Sequence, residues 1–154
     1  MNINELKPRA NIENNKRLSK TFHLFEKLID ELQKRDLPEK IAVTINNDIE
    51  EINSFSEPDN QLKKLIRHKF NAIIKVLEKE LKIVPKNYYR NYWSSLGIAA
   101  FGIPLGVVFG ISLDNMAFIG IGLPIGLAVG SGKGMQMDKK AAEEGRQLDL
   151  EISF

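Results

Sequence analysis

Residues 93–132, WSSLGIAAFGIPLGVVFGISLDNMAFIGIGLPIGLAVGSG, carry a single charged side chain, Asp114. An α-helix rises about 1.5 Å per residue and the hydrocarbon core of a bilayer is about 30 Å thick, so one crossing takes roughly 17–25 apolar residues. The stretch is long enough for two. Spans are predicted at Trp93 to Leu113 and Met116 to Gly132, joined by the polar pair Asp114-Asn115 as a tight connection in water. A re-entrant hairpin is the alternative arrangement of the same residues. Each span contains a proline, Pro104 or Pro124, which lacks an N–H and crowds the carbonyl four residues before it, that of Ala100 or Gly120. Each helix is expected to kink there.

The flanks orient the hairpin. Lys82, Lys86, Arg90, Lys133, Lys139, Lys140 and Arg146 all lie outside it and the loop has no cation, so both termini are expected in the cytoplasm of a two-span protein of the cytoplasmic (inner) membrane. All three tyrosines, Tyr88, Tyr89 and Tyr92, and the only tryptophan, Trp93, fall in KNYYRNYW at 86–93. Amphipathic rings favour the headgroup level, and Lys86 and Arg90 can extend to phosphates, so this segment reads as an interfacial collar. Lys133 is the cation that ends the second span.

Within the spans, Gly102, Gly106 and Gly110 form one run of four-residue steps, and Gly122, Gly126, Gly130 and Gly134 form another. Residues four apart share a helix face, so each run leaves a groove without side chains where a second backbone can approach. FGIPLGVVFG at 101–110 also aligns without gaps to IGLPIGLAVG at 121–130. The two copies cross in opposite directions and make an inverted repeat whose prolines could meet near the midplane. No charged ligand lies in the spans, and a substrate site within one chain is not expected.

The glycine runs and the two-span layout resemble the small two-pass glycine-zipper membrane proteins of bacteria, which pack into oligomers, some of them channels. The tail MDKKAAEEGRQLDLEI at 137–152 is similar to that of unassigned proteins in this class. The resemblance covers residues 93–152 and implies that Gly102, Gly106, Gly110, Gly122, Gly126, Gly130 and Gly134 mediate helix packing. A helical N-terminal region of roughly 90 residues sets the chain apart from the small zipper channels.

That region is of another kind. Of 154 residues, 43% are hydrophobic and 27% charged, yet residues 1–92 contain no glycine and hold 18 of the 22 Lys+Arg and 14 of the 20 Asp+Glu. Signs are interspersed and no run of five cations occurs, so nucleic acid is not an expected partner, while mild attraction to anionic headgroups is. Absence of Cys excludes disulfides, thiolate metal sites and Cys nucleophiles. The polar first 25 residues carry no secretory signal, so the N-terminus is expected to be mature and cytosolic. Leu18, Phe22, Phe25, Ile29 and Leu32 predict one helix, ended at Leu37-Pro38. Asp36 with Glu39 resembles a capping box for a second, carried by Ile41, Ile45, Ile49 and Ile52, although IAVTI alone also suits a strand. After the loop SFSEPDN at 54–60, Leu62, Ile66, Phe70, Ile73, Leu77, Leu81 and Val84 predict a third helix from Gln61 to Val84, stopped by Pro85. The last helix is expected to run through about Glu144 to Gly145. Leu148, Leu150, Ile152 and Phe154 then alternate as a short strand, which either augments a partner's sheet, packs on the helical region or stays disordered. The chain is expected to be all-α: a cytosolic helical region at 1–85, the collar at 86–92, the transmembrane hairpin at 93–134 and a cytosolic tail at 135–154.

Chemical motifs fail or are weak. A phosphate loop ending at Lys133 needs Gly at 127 and Ser or Thr at 134, where Leu127 and Gly134 stand. His23 and His68 have no metal-pair spacing, and Glu50-Glu51, Glu78-Glu80 and Glu143-Glu144 read as solvated faces. Arg17 and His23 match the R-x5-H spacing of HEPN ribonucleases, although Leu18 replaces the polar residue common there. No enzymatic activity, cofactor or metal is expected. The leading expectation is a homo-oligomer of zipper hairpins in the lipid bilayer, forming a pore or membrane-perturbing element controlled by the cytosolic helices. The alternative is a non-conducting anchor or adaptor that recruits a protein partner through the helical region or the tail.

Overall fold

The computed structural model describes residues 2–9, 12–56 and 58–152. The chain is all-α with one two-stranded sheet, and it divides into two units, Met1–Pro85 with Leu148–Phe154, and Lys86–Gln147.

Three helices make the first unit: α1 (Lys16–Gln33), α2 (Glu39–Ser54) and α3 (Asp59–Leu81). The Asn15 side chain starts α1 by accepting the Leu18 N–H at 3.2 Å. The expected stripe is buried together with Leu24 and Leu28, so the apolar face of α1 is wider than a heptad seam. Phe25 of α1 meets Phe70 of α3 with ring centroids 6.4 Å apart, and Ile41, Ile45, Ile49 and Ile52 of α2 are buried. The Asp36–Glu39 capping box does not form: Pro38 occupies the cap position of α2, with no side-chain bond. Between α2 and α3, Lys69 reaches Asp48 at 2.8 Å and Glu51 at 2.5 Å. Burial opposes its charge, but the two carboxylates outweigh burial and hold its pKa above the usual lysine range.

The third helix ends three residues earlier than its periodicity predicts. Lys82 turns left-handed at φ 56°, its N–H reaches back to Glu78 and Leu77, and the Ile83 N–H donates to the Leu77 carbonyl at 3.2 Å. This is a left-handed stop, closed by the Lys82-to-Glu78 bond and made without glycine. Val84 therefore leaves the helix and enters β1 (Val84–Lys86), which pairs with β2 (Gln147–Glu151). The terminal strand thus finds its partner in its own chain, with Val84, Leu148 and Leu150 buried. Phe154, expected on the same face, lies outside the described residues, as does Ser153. The Asp149 N–H donates to Glu31 of α1 at 2.9 Å.

Residues 2–9 form a strap along α2. The Asn46 amide accepts the Asn4 N–H at 2.7 Å and donates to the Asn2 carbonyl at 3.1 Å; Asn53 repeats the grip on the Lys7 N–H at 2.9 Å and the Glu5 carbonyl at 3.1 Å. Seven helical residues rise about 10.5 Å and three extended residues cover about 10 Å, so the two periods coincide. Arg9 closes the strap on the Ile52 and Phe55 carbonyls at 2.6 and 2.7 Å.

The second unit is a helical hairpin. One arm runs through α4 (Tyr88–Gly97), a π-helical turn (Ile98–Gly102) and α5 (Ile103–Ser112); the other is α6 (Ile119–Glu143), entered by a 3-10 turn at Met116–Phe118. The collar residues Tyr88, Tyr89, Arg90, Tyr92 and Trp93 form the opening turns of the first arm, and residues 135–143 of the tail continue α6. Pro104 is the second residue of α5, where a missing N–H is tolerated because the π turn ahead of it bonds the Ile103 N–H to the Ile98 carbonyl. Pro124 lies inside α6, which continues across it.

Candidate functional site

The hairpin's two arms touch through glycine. A Cβ at Gly126 would stand 2.6 Å from the Gly102 nitrogen, one at Gly122 would stand 2.7 Å from the Gly106 Cα, and one at Gly130 would stand 3.0 Å from the Ser94 Cα. At Gly134 it would meet the Arg90 nitrogen at 2.7 Å; at Gly106 and Gly110 it would meet Ile119. All seven glycines read as packing residues are buried and face the opposite arm of the same chain. Real Cβ atoms essentially never come within 3.0 Å of another non-bonded heavy atom, so at Gly106, Gly122, Gly126, Gly130 and Gly134 a side chain would force the backbones apart.

An eighth glycine belongs to this face. Gly97 precedes Gly102 by five residues, a spacing that on a regular α-helix would rotate it off the contact. The π turn at Ile98–Gly102 takes up the extra residue, and a Cβ at Gly97 would stand 2.9 Å from the Gly130 Cα. By contrast, Gly120 and Gly132 have nothing within 4 Å.

The series Gly122, Gly126, Gly130, Gly134 continues by one more four-residue step to Asp138, which is 7% exposed. Its carboxylate accepts the N–H of Tyr89 at 3.0 Å and of Arg90 at 2.9 Å. These are orphan donors of the first turn of α4, so an anion from α6 satisfies the positive end of the facing helix. At the other end, Asp114 turns at φ 47° and the Asn115 side chain accepts the Ala117 N–H at 2.9 Å.

Outward, the hairpin is apolar. The arms Tyr88–Ser112 and Met116–Glu143 have 18-residue windows of mean hydropathy 1.9 and 1.4, of which only 22% and 17% is buried. Phe101, Val108, Ile111, Leu123, Leu127 and Val129 are exposed. Two helices are therefore long and apolar enough to cross a membrane, and a helix of a water-soluble core would bury most of such a window. Tyr92 and Lys86 are exposed and Lys133 with them, Trp93, Tyr88 and Arg90 are partly so, and Tyr89 is buried. Tyr88 packs edge-on against Tyr89 with centroids 5.4 Å apart, and Tyr92 against Trp93 at 6.2 Å.

Among the described residues, Arg17 and His23 have different neighbours. His23 is held between Glu26 at 3.1 Å and Glu13 at 3.3 Å, whose hydrogen bonds, Glu26's first, raise its pKa above 6.5. Arg17 lines a groove with Lys20, Thr21, Lys63 and Arg67. Comparison of the chain with protein-family models, with curated proteins and with solved structures gives no match in any of the three.

Proposed function

We propose that the chain is a two-span protein of the cytoplasmic membrane whose hairpin, closed on itself through glycine, anchors a cytosolic helical domain that recruits a protein partner. The observation that carries this reading is the occupied glycine face: each packing glycine already meets backbone of its own chain, while the large aliphatic side chains point outward. In hydrocarbon, small residues belong where backbones approach and large ones where lipid is met. A pore assembled on the glycine faces would first have to open the hairpin; self-association by any other face would leave it shut. Cations on both flanks and none in the loop support cytoplasmic termini.

The chain has no cysteine, so an introduced one reports alone. In intact cells a membrane-impermeant maleimide is expected to label Asn115→Cys in the loop from outside, and to label Asn60→Cys in the first unit only after permeabilisation. Labelling of both from the same side, or release of the protein from membranes by alkaline carbonate, overturns the two-span reading.

A further inference from the structure

Among the described residues of the first unit, Lys34, Lys69 and Lys82 each hold a carboxylate. Arg17, Lys20 and Lys63 hold none among the described residues. Arg17 and Lys20 on α1 and Lys63 and Arg67 on α3 line a groove of about 400 Å³ together with Thr21, and among the described residues no carboxylate lines it. The two helices start together, Asn15 donating to Asp59 at 3.1 Å, and pack through Phe25 and Phe70, so these positions face one another across a fixed seam. The Thr21 hydroxyl is spent on the Arg17 carbonyl at 2.9 Å, which leaves the ligand chemistry to the cations. Glu13 is engaged with Ser19 and His23, and Asp59 with Asn15.

Four like charges around one concavity repel one another, and a multiply charged anion removes that repulsion. Planar guanidinium groups match phosphate oxygens in pairs, and lysines add point charge. The volume lies at the lower end of small-ligand sites, which suits a group of two or three phosphates better than a large apolar molecule. We propose that this groove binds a phosphate-bearing anion carrying at least two phosphoryl charges, supplied either by a soluble phosphorylated metabolite or by an anionic lipid headgroup. The inference rests on α1 and α3 alone and does not depend on the hairpin crossing a membrane.

The test is calorimetric titration of inorganic pyrophosphate into the full chain, held in phosphatidylcholine nanodiscs and, separately, in discs containing cardiolipin, whose headgroup carries two phosphates. Saturable one-to-one binding is expected in phosphatidylcholine, weakened about tenfold or more by Arg17→Gln and by Lys63→Gln, with Lys64→Gln on the exposed side of α3 as the unchanged control. Equal affinity in both discs identifies a soluble phosphate as the ligand. Weaker binding in the anionic discs, with the difference abolished by Arg17→Gln, identifies the headgroup. The proposal is overturned by the absence of saturable binding in phosphatidylcholine, by an equal loss in Lys64→Gln, or by tight binding of a single-stranded RNA oligonucleotide where pyrophosphate does not bind. Circular dichroism of each variant separates lost binding from lost folding.

Discussion

Gly126 carries a steric demand in the hairpin that a single methyl group can test. A Cβ there meets the Gly102 nitrogen and Cα at 2.6 and 2.7 Å, atoms of a backbone that cannot swing aside as a side chain would. Gly126→Ala is expected to destabilise the hairpin by about 1–3 kcal/mol, whereas Gly132→Ala, with open space at its Cβ, should leave it unchanged or slightly firmer. Detergent-induced unfolding followed by the fluorescence of Trp93, the single tryptophan, measures both. Asp138→Ala strips a two-bond cap from α4 and should cost about 0.5–2 kcal/mol in the same assay, with faster amide exchange at Tyr89 and Arg90. The four-residue recurrence made Gly102 through Gly134 legible because it is the helical period itself. Gly97 was not legible, since its five-residue offset lands on the contact only once a π turn exists. Asp138 hid in plain sequence, because a carboxylate just beyond a span reads as solvated even when it continues the glycine series.

Among the elements, the strap and strand β1 were the least readable. Helices α1, α2 and α3 follow from apolar spacing, but the end of α3 does not: Leu81 and Val84 prolong the period, and the left-handed stop falls on a lysine. Strand β1 has three residues, one of them proline, too few for alternation to register. The strap has no apolar period at all, and what holds it is the pair of asparagines on α2. Asn46→Ala should leave the part-buried Asn4 N–H and Asn2 carbonyl without partners, lowering stability by about 1–3 kcal/mol and exposing the strap to proteolysis; the exposed bonds of Asn53 predict a smaller loss. For β2 the lever is acid. The Lys34 ammonium first, and then the Asp149 N–H, hold the Glu31 carboxyl below its ordinary 4.5. A depressed folded-state pKa gives stability that is present above the unfolded value and lost as pH falls through the folded one. The advantage of the native chain over Glu31→Gln in urea melts should therefore be full near neutral pH and shrink as acidification passes below 4.5.

For the molecule entire, sequence and structure agree on an all-α chain ending in an apolar hairpin, while the partner of its glycines was open until the arms were seen together. Grooves of this kind look the same on paper whether the neighbour is a second chain or the other arm. If the arms are each other's neighbours, Gly126→Leu should loosen the hairpin without changing the detergent-corrected mass of the particle; a fall in that mass would return the glycines to a subunit interface. There is a further consequence of building a contact from evenly spaced, side-chain-free rungs. Sliding α6 past the first arm by one rung, about 6 Å, would again set glycine against backbone, so the ladder does not by itself choose its register. The choice is made at the ends: the turn at Asp114-Asn115 fixes one, and the carboxylate of Asp138, latched on two N–H groups of α4, fixes the other. Without that latch the hairpin is a vernier with more than one legible mark.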